Sequence, residues 1–115
     1  MQYMEVTPIS REEAVDRFGS DDSWNIRDAL LRVAYFDPEW RWVQNQCIEL
    51  SSHPDASVRI IAAICLSHIA RIHGELDLDR VLPVLRNLLD DPEVRGTAED
   101  VIKDVQWYLL RIDTE

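Results

Sequence analysis

One theme recurs along the chain at nearly constant spacing, and the recurrence restricts the fold more than any other feature. Ile26-Arg27 is followed by Leu30 and Ala34, Val58-Arg59 by Ala62 and Leu66, and Val94-Arg95 by Ala98 and Ile102. Each set is a β-branched residue, an Arg, and apolar residues three and seven positions beyond the Arg, which share one face only in a helix. The Arg positions are 27, 59 and 95, so the copies lie 32 and 36 residues apart, about the length of a helix pair. Such a pair cannot bury its apolar face alone, and about three stacked copies are the minimum for a stable core.

The punctuation between apolar segments predicts six helices. Ser10-Arg11-Glu12-Glu13 is a capping box that opens a short helix ending near Gly19, with Ala14, Val15 and Phe18 facing inward. The second runs from about Ser23 to Phe36 and stops at Asp37-Pro38, because the residue before Pro is pushed out of the α region. The third, about Glu39 to Ser51, places Trp40, Val43, Cys47 and Leu50 on one stripe. The fourth, about Ser57 to His73, is apolar on nearly every side and belongs in the middle of the fold, with Gly74 as its left-handed terminator. The fifth runs from about Asp79 to Leu89 with Pro83 in or just after its first turn, and the sixth from about Val94 to Ile112. Asp21-Asp22-Ser23, His53-Pro54-Asp55 and Asp91-Pro92-Glu93 each supply a turn and an N-cap before the repeated Arg.

On these residues the chain resembles the HEAT-repeat family. The likeness is strongest in the third unit, from Val81-Leu82-Pro83-Val84-Leu85 through Leu88-Leu89-Asp90-Asp91-Pro92-Glu93-Val94-Arg95 to Ala98 and Ile102. The second unit replaces the usual first-helix pattern with Glu39-Trp40-Arg41-Trp42, and the first is degenerate. The resemblance implies an all-α fold over residues 1–115, a short α-solenoid of about three antiparallel helix pairs at roughly 10–36, 38–73 and 79–112. In such a stack the first helix of each pair lies outside and the second lines a concave face. It also implies that Arg27, Arg59 and Arg95 are links between repeats rather than a binding ladder.

Chemistry is harder to find. No Gly-rich phosphate loop, G-x-S-x-G elbow, H-E-x-x-H helix or C-x-x-C pair occurs, so no enzyme, cofactor or metal is expected. Cys65 and His68 stand three apart, but Cys65 belongs to the core stripe and His68 to the opposite side, and Cys47 and Cys65 read as reduced core thiols. The 115 residues carry 22 Asp plus Glu against 12 Lys plus Arg, a net charge of −10, which repels phosphate backbones and argues against nucleic acid as the partner. Of the 12 basic residues only Lys103 is Lys, a bias toward groups that pair bidentately with carboxylates. No uninterrupted apolar run is long enough to span a bilayer and no signal-peptide pattern opens the chain, so a cytoplasmic protein away from membranes is expected.

What remains is surface. Positions one, five, eight, nine and twelve beyond each repeat Arg point away from the core. They place Asp100, Lys103, Asp104 and Trp107 on the sixth helix beside Gly96; Ile60, Ile64, Ser67, His68 and Arg71 on the fourth; and Arg32, Tyr35 and Phe36 with Asp28 on the second. Aromatic anchors among charges are what protein interfaces favour. Trp107, flanked by Asp100, Asp104 and Arg111, fits either a partner anchor or a cap over the open end of the stack; Trp42 is a weaker candidate, since the preceding helix can cover it. The tract Cys65 to Gly74, with Leu76-Asp77-Leu78 and Ala98-Glu99-Asp100, is similar to small bacterial HEAT-type immunity proteins of contact-dependent growth inhibition and other polymorphic toxin systems. That likeness implies a protein that binds and blocks a toxin domain, expected to be a basic nuclease because an acidic inhibitor mimics phosphates and speeds encounter. The alternative is a general adaptor or assembly subunit.

Overall fold

The computed structural model describes residues 6–110, and within them the chain forms six α-helices and no strand. They are α1 (Arg11–Phe18), α2 (Ser23–Phe36), α3 (Trp40–Leu50), α4 (Ala56–His73), α5 (Leu78–Leu88) and α6 (Arg95–Val105), followed by a π-helical turn, Gln106–Leu110. The starts have polar causes. Ser10 Oγ accepts from the Glu13 N–H at 3.1 Å, Asp22 Oδ1 from Trp24 at 2.9 Å and Asp55 Oδ1 from Ser57 at 2.8 Å. Before α6, Asp91 Oδ1 accepts from the Glu93 N–H at 3.0 Å, and its carbonyl accepts from Arg95 at 2.8 Å. The stop after α4 is Gly74, in the left-handed region at φ 67°, where a side chain would be strained.

Short turns fold the chain into three antiparallel pairs, α1/α2, α3/α4 and α5/α6. The second helices α2, α4 and α6 lie side by side as an inner layer with α4 central, and each outer helix packs on its own inner partner. Ala29, Ala34, Ala62, Ala63, Ala70 and Ala98 are fully buried, small residues that let helices approach closely. One apolar cluster of buried residues runs from Ala14 to Val105 through all six helices. By length and composition α4 could cross a membrane, with 18 residues at a mean hydropathy of 1.3, although its longest unbroken apolar run is short. That apolar surface is used inside the protein, against α2, α3 and α6.

Several expected details differ. Val15 is exposed, because α1 turns only Ala14 fully inward. Glu13 pairs with Arg17 at 2.7 Å, so Ser10 caps α1 with no return bond from that carboxylate. Pro83, as expected, falls just after the first turn of α5, on an exposed face where the lost N–H is not buried. The last helix leaves α geometry at Gln106; the expected inward Ile112 lies outside the described residues, as does Arg111. The principal extents are 38 × 34 × 29 Å, a block too short for the per-repeat rotation of a solenoid to build a deep groove.

The repeats are tied by carboxylates that do two things at once. Asp55, the cap of α4, also accepts from Ser23 Oγ of the preceding pair and from Ser57 Oγ at 2.8 Å. Asp91 stands at the matching place in the third pair and accepts from Arg59 Nε at 2.9 Å, while Arg59 Nη1 reaches the carbonyls of His53 and Pro54, each at 2.9 Å. Arg95 instead pairs with Glu99 on its own helix at 3.3 Å and stays exposed. Arg59→Ala should thus cost about 1–3 kcal/mol, in line with hydrogen bonds to charged groups, whereas Arg95→Ala should fall within about 0.5 kcal/mol of wild type; urea melts of the two compare them directly.

The serines and the Ser57 N–H, aided by Arg27, hold the Asp55 carboxyl down at about 2, against an ordinary 3.8. Asp37 is lowered as well, chiefly by its hydrogen bond from Arg11. A carboxyl with a depressed folded pKa stabilises the fold above its unfolded pKa and loses that contribution as pH falls through the folded value. Thermal melting should hold steady down to about pH 4 and fall between there and about pH 2, with Asp55→Asn showing a shallower decline.

Candidate functional site

The inner-helix face brings side chains from three helices together near the C-terminal ends of α2 and α4. The Tyr35 ring meets the His68 ring edge-on with centroids 4.9 Å apart, and Phe36 lies 6.4 Å from Tyr35. Arg71 approaches both: its Nη2 is 3.2 Å from His68 Nδ1 and its Cζ 6.0 Å from the Tyr35 centroid. Ser67 Oγ donates to Asp104 Oδ2 across the α4–α6 seam at 3.1 Å. Burial and the Arg71 charge lower the His68 imidazole below its ordinary value, against an upward pull from Asp104.

Of the residues singled out in the sequence, Asp100, Lys103, Asp104, Trp107, Phe36 and Arg71 are exposed, and Tyr35, His68, Ile60 and Ile64 are half-buried. Trp107 is 53% exposed on the π-helical turn, whose Tyr108 and Leu109 pack against the core. Two expectations need correction. Ser67 is buried and is a tie between helices rather than an open contact, because α6 packs directly over it. Arg32 is engaged: Nε and Nη2 donate to the carbonyls of Thr7 and Pro8, both at 2.9 Å, and Nη1 pairs with Asp28 at 3.3 Å. It fastens residues 7 and 8 against α2.

A second part of the face went unnoticed in the sequence. Trp24 is 55% exposed on the first turn of α2, between two adjoining depressions. One is walled by Val6, Thr7, Arg17 and Arg32, the other by Arg27 and Ile61, and both share Asp28 and Leu31. Trp24 precedes the repeat Arg, so offsets counted forward from Arg27 pass it by; its helical spacing to Asp28 and Leu31 was the available signal. On the outer side, Trp42 is half-buried beneath the Arg11 guanidinium at 5.1 Å, a cover supplied by α1 and not by α2, the helix that directly precedes α3.

Among the described residues no group of three or more His, Cys, Asp or Glu converges as a metal site. Cys47 and Cys65 are both buried, and burial pushes the Cys47 thiol well up, with Cys65 beside it adding to the effect. The Cys47 thiol stays protonated at neutral pH, and a thiol is a poor nucleophile. Native protein should react with a disulfide reagent far more slowly than urea-unfolded protein, with both thiols appearing only on unfolding.

Comparison with known proteins agrees with this architecture. A HEAT repeat family profile matches residues 43–73, most of α3 with all of α4. The matched unit is thus the second, with the longest inner helix, rather than the third. A search of curated proteins by sequence finds no match. Among solved structures, a chain in the crystal structure of a CDI complex from Cupriavidus taiwanensis LMG 19424 superposes with a TM-score of 0.85 at 26% identity, covering 97% of this chain and 99% of that one. The fold is a HEAT-like all-α solenoid, and over nearly its whole length it follows the backbone of a component of a CDI complex.

Proposed function

We propose that this chain is an immunity protein that neutralises a cognate toxin by binding the toxin domain directly with its inner-helix face. The observation that carries the reading is the end-to-end likeness to a chain of a CDI complex, at an identity above what bare fold likeness needs. The face offers what such binding requires: exposed Trp24, Phe36 and Trp107 as anchors, with charged groups around them. In this reading the chain works by stoichiometric occlusion and carries out no chemistry of its own.

The toxin domain is basic, and a nuclease is the activity that best matches the charge. A net charge of −10 steers a basic partner into encounter and offers carboxylates where a nuclease expects phosphates. The chain acts in the cytoplasm, where such a toxin would find its substrate.

The test pairs the chain with the domain encoded directly upstream. Expressing that domain alone should stop growth, and co-expressing this chain should restore it and yield a complex that co-purifies. Trp107→Ala should melt like wild type yet weaken the complex by about 2 kcal/mol or more, as a buried aromatic anchor does. Asp100→Lys should chiefly slow association and flatten its dependence on salt. Growth arrest undiminished by the wild-type chain would point to a general adaptor.

A further inference from the structure

Arg71 differs from Arg32 of the same face. Arg32 spends its guanidinium on two backbone carbonyls and Asp28. Arg71, in the last turn of α4, is exposed, and among the described residues no carboxylate lies within ion-pairing distance of it. Neutral groups hold it instead: His68 Nδ1 at 3.2 Å and the Tyr35 ring. A guanidinium can only donate, so Nδ1 must accept, and His68 is the neutral tautomer with its proton on Nε2. Asp104, the nearest acid across the seam, is tied to Ser67. The positive charge is oriented but not neutralised, on a chain that carries a net −10.

We propose that Arg71, positioned by Tyr35 and His68, is the point at which the inner-helix face receives a carboxylate of the partner toxin domain. This rests on the toxin-binding reading and deepens it: the partner presents an Asp or Glu among the basic residues that meet the acids of α6. Charge complementarity supports the assignment. A planar fork of donors held in one orientation loses little side-chain freedom on pairing, and a carboxylate accepts two of its N–H groups at once. A cation within an acidic surface also fixes register and rejects a uniformly basic partner.

The clamp carries a pH dependence. The groups facing the His68 ring are Tyr35 from α2, Arg71 from its own helix and Asp104 from α6. Protonation at Nδ1 removes the acceptor and sets an imidazolium against the guanidinium; Asp104 opposes that change only in part. With its pKa lowered from 6.5, His68 is neutral and the clamp intact at neutral pH, and the clamp is lost only as pH falls through that lowered pKa.

The experiment uses the full chain and a catalytically inactivated form of the upstream-encoded domain, with rates measured at about pH 7.5 and about pH 4.5, the lower point set well below an ordinary imidazole because His68 is depressed. Arg71→Ala should raise the dissociation rate about 10-fold and Arg71→Glu about 100-fold at the higher pH. Both should melt like wild type, since Arg71 is exposed. Changing one Asp or Glu of the partner to Arg should restore binding to Arg71→Glu alone. His68→Gln keeps an acceptor for Arg71 without a titrating group, so whatever its rate at the higher pH, the ratio of its dissociation rates at the two pH values should be smaller than that of wild type. Wild-type dissociation rates for both Arg71 variants, with the wild-type complex intact, would overturn the Arg71 assignment and leave the toxin-binding reading standing. No complex with the wild-type chain at either pH would overturn both.

Discussion

The stack depends on a carboxylate placed where one helix begins and the previous repeat ends. Asp55 satisfies the opening N–H groups of α4 and accepts from Ser23 of the first pair, and Asp91 caps the turn before α6 while taking the Arg59 guanidinium of the second. Capping needs the carboxylate at one point on the chain, and the inter-repeat bond needs the same oxygens at one point in space. Meeting both conditions fixes the height of each inner helix against the last. Apolar packing alone, being non-directional, would leave that register loose. Arg95 occupies the matching place in the third pair and, among the described residues, pairs with Glu99 of its own helix rather than across repeats.

Register between inner helices is what assembles the candidate surface. Tyr35, His68, Arg71 and Asp104 come from three helices, and a slip of one turn, about 5.4 Å, would separate them. α4 is the pivot, presenting His68 toward α2 and Ser67 toward α6 from adjacent positions. The face divides into two chemically distinct parts. Around Trp24 the arginines 17 and 32 are already paired with Asp28, leaving an aromatic surface between internally matched charges. Toward α6, Asp100, Lys103 and Asp104 surround the exposed Trp107, with carboxylates in excess. Under the proposed toxin-binding reading, a partner meeting both parts combines apolar area with basic groups and presents one acid to Arg71.

Local chemistry was readable without coordinates wherever it depends on neighbours in sequence. Helix bounds followed from caps and stops acting over two to four residues, so α2 spans Ser23–Phe36 and α4 ends at His73 before Gly74, as read from the chain. The repeat announced the stacking, because one face must be apolar in every copy; Val58, Ala62 and Leu66 are fully buried, and so are Val94 and Ala98. Charge and the lack of catalytic motifs belong to composition and spacing, and these directed attention to surface from the outset.

Only the tertiary structure decided which exposed positions are open and which are spent. A helical wheel assigns Ser67, Arg32 and Arg71 alike to the outside. Ser67 is closed over by α6, Arg32 is consumed by the carbonyls of Thr7 and Pro8, and Arg71 is left charged against two neutral rings. Those partners lie 37, 25 and 24 residues away for the first two, beyond any periodicity, and the Tyr35 ring reaches Arg71 only because α2 and α4 stand in register. Sequence determines which face a residue occupies because helix geometry is local. The competition for its donors and acceptors is settled by contacts between helices, and those exist only once the stack has formed.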